Sequence, residues 1–463
     1  MNDALWLAED AAKAAGGQLV GADSWIASGV SIDTRALEPG DLFVALKDQR
    51  DGHDFLAQAF AAGACAALVS DAEKAQGLGP VLVVRDVVEG LRGLGAAARD
   101  RSAAKRIAVT GSVGKTSTKE ALAACLAASG LTHRSIKSYN NHWGVPLTLS
   151  RMPANAQYGV FEIGMNHRGE ILPLTTLVKP HVAIVTTIAP AHVENLGSLE
   201  NVADEKGDVY AGLEPGGAAL VPNEAPHASR LIAAAERYGA DVICFGRDRI
   251  CEARLLKFEI DAEGSIAEAD ILGHAIRYRI GAPGAHWALN SVAALAAVAL
   301  VGGDVGAAAD ALGHLRAVDG RGTAKRIEAA FGSFLLVDDS YNANPASMAA
   351  AFATLGARSG KRRIAALGDM LELGPDERAY HAGLASPLEQ AGVDSVFAAG
   401  PRMAALMEAL PQSLRGGYAE SADALIPLLT EALRDGDVVL VKGSNGSRMS
   451  RVVDALSRLD RET

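Results

Sequence analysis

The 463-residue chain has few cysteines and no excess of positive charge. Its cysteines, Cys65, Cys125, Cys244 and Cys251, stand at spacings that match no metal motif, and nothing at the N-terminus resembles a secretory signal. This usage is typical of a reducing cytoplasm, where we expect the chain to act. Lysine and arginine number 44 against 55 aspartates and glutamates, so the net charge is −11. This acidic balance argues against nucleic-acid binding and favours a small-molecule partner.

Long hydrophobic runs are also missing. The longest uncharged stretch, 281–303, carries a proline, a histidine, an asparagine and a serine in its first half, so its apolar remainder is too short to span a bilayer. We interpret it as a buried, alanine-rich helix that begins near His286, and we expect no membrane insertion. The hydrophobic content of 49% and the charged content of 21% are ordinary for a globular protein, and the length allows two to four domains.

The clearest motif lies at 106–120, RIAVTGSVGKTSTKE, where an apolar strand pattern leads into a glycine-rich turn and then a helix pattern. Gly111 and Gly114 allow a tight turn that points backbone N–H groups at a phosphate, and the following helix adds the positive end of its dipole. Lys115 would reach the β- and γ-phosphates, and the Thr116 hydroxyl would face Mg²⁺. The usual P-loop has another glycine five residues before Gly114, where this chain has valine, so this is a shortened form. The residues predicted to hold the nucleotide phosphates are Thr110, Gly111, Ser112, Val113, Gly114, Lys115, Thr116 and Ser117.

Strand and helix patterns divide the chain into three α/β domains, at 1–104, 105–318 and 319–463. The alternation of strands with helices predicts mostly parallel sheets covered on both faces. Between about 243 and 280 the pattern changes to short alternating strands, which suggests an antiparallel insertion or edge. The expected fold class is therefore α/β, with a central P-loop-type, mostly parallel sheet between a small N-terminal α/β domain and a C-terminal Rossmann-like α/β domain.

Several polar side chains follow predicted strands, where open α/β sheets place their ligands. Glu162 ends an apolar strand pattern, and its carboxylate suits a hard cation beside phosphates; the alternative is an ordinary exposed strand end. His192 lies in the loop after the next predicted strand. It could be a metal ligand, a base or simply a solvated side chain. Lys206 lies on a predicted helix beside several carboxylates. A surface ion pair is therefore an ordinary explanation for this lysine, and the sequence by itself does not single it out.

Two more polar clusters follow strands in the last domain. The segment 337–345, VDDSYNANP, puts two carboxylates and two amides directly after a strand pattern. Asn344 before Pro345 is also typical of a helix N-cap with proline at the first helical position, which is the structural alternative to a binding role. The segment 441–448, VKGSNGSR, is a strand end followed by a basic, glycine-rich loop that suits an anion or is simply solvated.

A series of segments, in this order and at these spacings, resembles the Mur ligase family: TGSVGKTSTKE, YNNHWGVPLTL, FEIGMNHRGEI, AHVENLGS followed by EKGD, DDSYNANPASM, ALGDMLELG and VKGSNGSRM. The resemblance covers essentially the whole chain, including VSIDTRALEPGDLFVAL and DGHDF near the N-terminus. It is strongest to the members that join D-alanyl-D-alanine to UDP-N-acetylmuramoyl-tripeptide, and DDSYNANP and LGDMLELG are the segments most specific to them.

The resemblance implies an N-terminal domain that holds the UDP end of a sugar nucleotide, a central ATPase domain, and a C-terminal domain that closes over ATP and brings the amino substrate. The implied reaction is ATP-dependent amide formation through an acyl phosphate, in which the protein mainly positions substrates and neutralises charge. The implied partners are UDP-N-acetylmuramoyl-tripeptide and D-alanyl-D-alanine, and the cofactors are ATP and two Mg²⁺ ions. We expect a monomer that performs the last cytoplasmic step of peptidoglycan precursor synthesis.

The resemblance also implies roles for residues of this chain. The implied metal ligands are Thr116 and Glu162 for one Mg²⁺, with His192 and Lys206 for the second. A carbamylated Lys206 is implied, because the matching lysine of the family carries this modification, which turns a cation into a carboxylate-like ligand. The implied catalytic set is Lys115, Asn141, Glu162, His192 and Lys206. Further nucleotide contacts are implied for Asn290, Arg321 and Asp339. The implied substrate contacts are Ser31, Asp33, Thr34 and Arg35 at the UDP end, and Asn140, Asn141, Tyr341, Asn342, Asn344 and Lys442 at the acyl and amino end.

Two other interpretations stay open at this point. One is a related ligase, either a Mur ligase that adds a free amino acid to a shorter peptide or a folate polyglutamate synthase. A diamino-acid ligase would carry an Asp-Asn-Pro-Arg type motif, which the sequence lacks, and the folate enzyme would lack the UDP loop. The other is a P-loop nucleotide switch that forms no bond, which would leave Glu162, His192 and Lys206 without a role.

Overall fold

The computed structural model describes residues 4–136, 138–261, 264–317 and 319–461. Sheets flanked by helices follow one another along these ranges, and the expected α/β fold class is confirmed. The domain boundaries stay predictions, and residue 318, where one of them falls, lies outside the described residues. Within the described ranges, no helix combines the length and the apolar character that crossing a membrane requires.

The N-terminal unit, which precedes β8, contains a five-stranded sheet, a separate antiparallel pair formed by its first and third strands, and the helices around them. Its strands are β1 (Trp6–Leu7), β2 (Gln18–Val20), β3 (Ile26–Ala27), β4 (Gly29–Ser31), β5 (Asp41–Val44), β6 (Ala66–Val69) and β7 (Val81–Val83). Its helices are α1 (Ala8–Ala15), α2 (Leu56–Ala61) and α3 (Val87–Asp100). The sheet order is β2-β7-β6-β5-β4, in which β2 is antiparallel to β7 and the other neighbours are parallel.

The central unit runs from β8 to α11. Its strands are β8 (Lys105–Thr110), β9 (Thr132–Arg134), β10 (Tyr158–Glu162), β11 (Val182–Val185), β12 (Ala218–Pro222), β13 (Asp241–Gly246), β14 (Ala253–Asp261), β15 (Gly264–Ile271) and β16 (His274–Ile280). Its helices are α4 (Lys115–Ala127), α5 (Gly144–Ser150), α6 (Ile171–Val178), α7 (Val193–Leu196), α8 (Leu199–Gly207), α9 (Ala228–Arg237), α10 (Ala285–Leu300) and α11 (Val305–Gly313). The sheet order is β16-β15-β14-β13-β12-β11-β8-β10-β9.

The middle strands of this sheet are buried on both faces, which is why they appear in the sequence as continuous apolar runs. The helix expected near His286 is α10, which begins at Ala285. The predicted antiparallel edge is present as β14, β15 and β16. It begins later than expected, because β13 still pairs parallel to β12.

The C-terminal unit runs from β17 to α17. Its strands are β17 (Thr323–Ala329), β18 (Gly332–Asp339), β19 (Arg362–Gly368), β20 (Ser395–Ala399), β21 (Arg415–Ala419) and β22 (Asp437–Lys442). Its helices are α12 (Pro345–Gly356), α13 (Glu377–Ala382), α14 (Ala385–Gln390), α15 (Ala404–Ala409), α16 (Ala422–Ala432) and α17 (Ser450–Ser457). The order is β17-β18-β22-β19-β20-β21, with β17 antiparallel to β18 and the others parallel.

Helix α5 ties the N-terminal unit to the central one. Leu147 of this helix is fully buried in the core of the N-terminal unit. Trp6 Nε1 donates to the Ser150 carbonyl at 2.9 Å, and Arg99 Nη1 donates to the Leu177 carbonyl at 2.6 Å. Because these two units share buried apolar surface and buried hydrogen bonds, they form one base on which the C-terminal unit sits.

Three histidines of the central unit make stability sensitive to pH. Desolvation lowers the pKa of His133, His181 and His286 to about 4. Below about pH 6.5 the unfolded chain therefore binds protons that the native chain does not, and stability is lost as the pH falls from about 6.5 toward 4. We expect each ring to reduce the free energy of unfolding by up to about 2 kcal/mol between pH 7 and pH 5. Urea denaturation across this range measures the loss.

The variant His181→Asn gives the control for this prediction. His181 Nδ1 accepts the Arg106 backbone N–H at 3.1 Å, and an asparagine carbonyl replaces this acceptor without titrating. The variant should show a shallower fall of stability between pH 7 and pH 5. Identical slopes for the two proteins would contradict the assignment.

Candidate active site

The phosphate loop lies between β8 and α4, as the sequence predicts. Gly111 and Gly114 have φ angles of 145° and 87°, which L side chains rarely adopt. A Cβ atom on Gly111 would lie 1.9 Å from Thr186 Oγ1, and one on Gly114 would lie 2.7 Å from Asn290 Nδ2. Glycine is therefore required at both positions, by conformation and by space.

Substituting Gly114 with alanine should displace this loop. The left-handed backbone alone costs about 1–2 kcal/mol with a Cβ present, and the Cβ also pushes on Asn290. We expect ATP to bind about 10- to 100-fold more weakly in titration calorimetry. Gly216→Ala is the matched control, since Gly216 has φ 75° but nothing within 4 Å of the added Cβ. Equal ATP affinity in the two variants would contradict this assignment.

Residues of the neighbouring strand end hold the loop from one side. The Ser112 N–H donates to the Thr187 carbonyl at 2.9 Å, and Thr186 Oγ1 donates to the Val113 carbonyl at 2.5 Å. Lys115 Nζ bends over the loop and donates to the Gly111 carbonyl at 2.7 Å. Sequence reasoning missed both threonines, although their position at the end of β11, next to β8, is the signal that identifies them.

Glu162 is the anchor of a buried hydrogen-bond network beside the phosphate loop. Its side chain is 1% exposed, accepts Thr116 Oγ1–H at 2.9 Å and accepts Asn140 Nδ2–H at 2.8 Å. Its backbone N–H donates to Ser135 Oγ at 3.1 Å. Asn141, the next residue after Asn140, accepts the Gly144 N–H at 2.9 Å and so starts α5. The network fixes a carboxylate and a hydroxyl side by side, as a hard cation requires.

Lys206 is completely buried in the last turn of α8 and its Nζ has no hydrogen-bond partner among the described residues. Desolvation lowers its pKa far below the usual range, and the charge of Lys115 lowers it further. The adjacent Glu205 does not pair with it, because its carboxylate accepts the Gly169 and Ile171 backbone N–H groups. A buried, unpaired ammonium is costly, so this amine is neutral or chemically modified.

The buried Lys119 is the useful contrast. It is also completely buried in the central unit, but its Nζ donates to the Ser135 carbonyl at 2.9 Å and lies 2.8 Å from a Glu120 carboxylate oxygen. Burial alone therefore does not distinguish Lys206 from other lysines of this chain. The lack of a partner does.

His192 begins α7 and meets the C-terminal unit. Its φ angle is 59°, and its Nδ1 lies 2.5 Å from Oε2 of Glu372. Glu372 in turn has φ 62°. Sequence reasoning selected His192 but missed Glu372.

The strand ends of the C-terminal unit supply the other wall. Asp339 ends β18 and Lys442 ends β22, and Lys442 Nζ lies 2.7 Å from Asp339 Oδ2. Burial raises the pKa of Asp339 even though Lys442 opposes the shift. Lys442 also donates to the Asn342 carbonyl at 2.9 Å. Asn344 caps α12 by accepting the Ser347 N–H at 2.9 Å, so its structural interpretation is confirmed.

Arg321 connects the two walls. It lies just before β17, and its Nη2 donates to Ser138 Oγ of the central unit at 3.2 Å. Its guanidinium carbon lies 4.4 Å from the centre of the Tyr341 ring. Ser138 lies beside Thr116 as well, with 3.4 Å between the two hydroxyl oxygens. The contact places a cation from the C-terminal side next to the phosphate loop.

A cavity of about 410 Å³ separates the central and C-terminal walls. The predicted site residues that line it are Ser112, Val113, Gly114, Lys115, Thr116, Ser117, Asn140, Asn141, Glu162, His192, Arg321, Asp339, Tyr341, Asn342, Asn344 and Lys442. Four other predicted site residues do not line it: Thr110, Gly111, Asn290 and Lys206. Sequence reasoning did not select two lining residues, His286 and Arg358, whose Nδ1 and Nε atoms are buried without hydrogen-bond partners among the described residues.

A second cavity, of about 870 Å³, lies between the N-terminal and central units. Ser31 and Asp33 line it, together with Arg151 from the segment after α5. Arg35 folds back on Asp33, with its Nε and Nη2 at 2.9 and 2.7 Å from the two carboxylate oxygens. Thr34 and Arg35 are not among the residues that line this cavity. The structure brings only half of the predicted UDP loop onto this cavity wall.

The predicted metal ligands are of mixed chemistry. Within the described ranges, no group of three or more histidine, cysteine, aspartate or glutamate side chains is placed to hold a metal ion. The set Thr116, Glu162, His192 and Lys206 contains one carboxylate and one imidazole. It needs a modified Lys206 to supply a second anionic ligand, and the unpaired Nζ fits that requirement.

Comparison with known families matches Mur ligase descriptions along most of the chain. The description "Mur ligase family, catalytic domain" matches residues 27–129, "Mur ligase middle domain" matches residues 109–298, and "Mur ligase, glutamate ligase domain" matches residues 325–445. The UDP-N-acetylmuramoyl-tripeptide–D-alanyl-D-alanine ligase of Escherichia coli is 36% identical over 95% of this chain and 96% of its own length. The Bacillus subtilis enzyme of the same name is 32% identical over 92% of this chain and 93% of its own.

Solved structures give the same result. A crystal structure of MurF from Acinetobacter baumannii has a TM-score of 0.84 and 28% identity, over 98% of this chain and 99% of that one. A MurF ligase from Thermotoga maritima in complex with ADP has a TM-score of 0.77 over 94% of this chain and 98% of its own. At 24% identity, the second likeness supports the fold alone.

Proposed function

The chain belongs to the Mur ligase family, and we propose that it joins D-alanyl-D-alanine to the terminal carboxyl group of UDP-N-acetylmuramoyl-tripeptide at the expense of ATP. The observation that carries this proposal is the cavity between the phosphate loop and the strand ends of the C-terminal unit. Both walls come from one chain, which supports a monomer as the working form.

The nucleotide would bind with its phosphates on the loop between β8 and α4. The loop glycines and the N-terminus of α4 present N–H groups to the phosphates, and Lys115 and Arg321 supply positive charge from the two walls. Asn290, packed against Gly114, supports the loop from behind. The pair Asp339 and Lys442 is placed to contact the nucleotide or the amino substrate on the opposite wall.

We propose that Thr116 and Glu162 hold one Mg²⁺ and that His192 and a carbamylated Lys206 hold the second. A neutral Lys206 amine attacks CO₂, so that an N–C bond forms and one proton is released. The product has a carboxylate in place of an unpaired amine. Mg²⁺ at these ligands would neutralise charge on the phosphate oxygens during transfer. The other residues of the site would act by binding the substrates and holding them in position.

In the proposed reaction, a carboxylate oxygen of the tripeptide attacks the γ-phosphorus and ADP leaves. The amine of D-alanyl-D-alanine then attacks the acyl carbon, and phosphate leaves with that carboxylate oxygen as the amine loses a proton. Asn140 and Asn141 lie beside Glu162 and the loop, where the acyl phosphate would form. Ser31 and Asp33 line the second cavity, which suits the UDP end of the same substrate.

An isotope experiment tests the acyl phosphate. UDP-N-acetylmuramoyl-tripeptide labelled with ¹⁸O in its terminal carboxylate should deliver one ¹⁸O to the phosphate released in each turnover, because the attacking oxygen leaves with phosphorus. Mass spectrometry of the phosphate measures the transfer. Unlabelled phosphate, with ligation still occurring, would contradict this route and indicate attack without carboxylate activation. A nucleotide switch would release unlabelled phosphate and form no ligated product.

A further inference from the structure

One contact between the central and C-terminal units involves no residue that touches the reacting groups in the proposed reaction except His192. His192 Nδ1 lies 2.5 Å from Glu372 Oε2, although no hydrogen bond of regular geometry involves this nitrogen among the described residues. Glu372 belongs to the LGDMLELG segment, one of the two segments most specific to this group of ligases, and no residue of the segment takes part in the proposed reaction. The contact therefore joins a proposed metal ligand to a segment whose role in the protein is otherwise unassigned.

Both partners of this contact have a strained backbone. His192 and Glu372 adopt φ angles of 59° and 62°, left-handed conformations that are unfavourable for non-glycine residues. Backbone strain of this kind persists where the surrounding structure holds it and is concentrated at functional sites. The backbone takes part in the same interface, because the Glu194 N–H faces the Glu372 carbonyl at 3.4 Å.

The C-terminal unit holds the Glu372 loop firmly from behind. The Met370 N–H donates to Nε2 of the buried His381 at 3.0 Å, and the Leu371 N–H donates to Ser444 Oγ at 3.0 Å. Asp369, 5% exposed, accepts the Met403 N–H at 3.0 Å. The residues that precede Glu372 are thus fixed to three separate parts of their own unit. A side chain on such a support has a defined position relative to the whole unit.

We propose that Glu372 is a positioning residue for His192: its carboxylate, 2.5 Å from Nδ1, keeps the ring proton on that nitrogen and so leaves Nε2 unprotonated for a metal. Histidines that bind metals commonly donate their other ring N–H to a carboxylate, which fixes the tautomer and the ring orientation. Here the carboxylate comes from the unit that closes over the cavity. The His192 ligand is therefore set in place only when the C-terminal unit docks, which couples metal binding to docking. This inference rests on the proposed assignment of His192 to the second Mg²⁺.

The variant Glu372→Gln tests the proposal in the full chain. Mn²⁺ binding is measured by electron paramagnetic resonance in the presence of a non-hydrolysable ATP analogue and UDP-N-acetylmuramoyl-tripeptide. We expect the weaker Mn²⁺ site to lose about 10- to 100-fold in affinity. Glu389→Gln, an exposed glutamate on α14 of the same unit, is the matched control and should bind Mn²⁺ like the unmodified protein. Unchanged Mn²⁺ affinity in Glu372→Gln would overturn the proposal.

A second variant separates positioning from a structural role. Glu372→Gly removes the carboxylate and also relieves the left-handed strain, so the free energy of unfolding should stay level or rise. If Glu372 positions His192, this variant still loses Mn²⁺ affinity. Mn²⁺ affinity equal to that of the unmodified protein would overturn the proposal even if Glu372→Gln fails to fold.

The histidine itself gives a readout that needs neither metal nor turnover. With ¹⁵N-labelled imidazoles, the metal-free protein should show His192 with its proton on Nδ1, and Glu372→Gln should lose this preference. Unchanged His192 signals in the variant would overturn the proposal. Ligase activity is measured on the same unmodified protein: if it ligates while the Glu372 variants keep their metal affinity, only this inference fails, whereas absence of ligation counts against the proposed function.

Discussion

Replacing Lys206 with alanine should abolish most of the ligase activity, by about 10²–10³-fold in kcat, without destabilising the fold in proportion. The Lys206 side chain is completely buried and its Nζ is unpaired among the described residues. Removal of an unpaired buried amine recovers part of its desolvation cost, so a large loss of stability is not expected. Short carboxylates such as formate or acetate should restore part of the activity, because the space left by the side chain admits the missing carboxylate. Steady-state kinetics with and without the added acid measure both effects.

The matched control is Lys257→Ala. Lys257 is exposed on β14, where it pairs with Glu259 at 2.7 Å, well separated from the lining of the cavity. It should retain full activity and show no response to added carboxylates. Full activity in Lys206→Ala would remove this lysine from the site, and a loss that no carboxylate restores would favour the unmodified amine over the carbamate.

Replacing Lys115 with methionine should lower kcat by about 10³-fold while leaving the binding of UDP-N-acetylmuramoyl-tripeptide unchanged. Methionine keeps the length and the apolar stem of the side chain but removes the cation that faces the phosphates. The Lys115 Nζ is held over the loop by the Gly111 carbonyl, which aims it where the γ-phosphate would lie. Desolvation lowers the pKa of Lys115 and the charge of Glu162 opposes this shift; a bound phosphate would oppose it further. Single-turnover phosphate release and substrate titration measure the two quantities separately.

Lys105→Met is the control for this substitution. Lys105 is an exposed lysine at the opposite end of β8 from the phosphate loop. Its replacement should change neither phosphate release nor substrate binding. If Lys115→Met released phosphate as fast as Lys105→Met, the loop would not be the site of phosphoryl transfer.

The sequence predicts the strands that are buried on both faces and misses two largely exposed edge strands of the C-terminal unit. The apolar runs of β8, β10, β11 and β22 appear directly in the sequence because parallel strands buried on both faces need continuous apolar side chains. The edge strands β17 and β21 gave no such signal. In β17 only Ile327 is buried, and β21 contains two glycines and a single buried residue. Their pairing with a neighbouring strand, which local patterning does not encode, makes them strands.

The candidate site divides in the same way. The phosphate loop and Glu162 were predictable because their chemistry is local: a turn, a helix start and a strand end. The contacts of Arg321 with Ser138 and of His192 with Glu372 join residues far apart in sequence, and no local pattern pairs them. The special status of Lys206 was likewise out of reach, because its surrounding carboxylates suggested a surface ion pair. The structure shows instead that Glu205 is engaged with the backbone and Asp204 with Arg230.

The most direct test of the proposed function is an omission assay. The purified chain is incubated with Mg²⁺-ATP, UDP-N-acetylmuramoyl-tripeptide and D-alanyl-D-alanine, each left out in turn, while phosphate release and product mass are followed together. We predict that phosphate release in stoichiometric amounts requires all three substrates and that the mass of UDP-N-acetylmuramoyl-pentapeptide appears with it. Phosphate release that is indifferent to the peptide substrates, with no new mass, would contradict the ligase assignment.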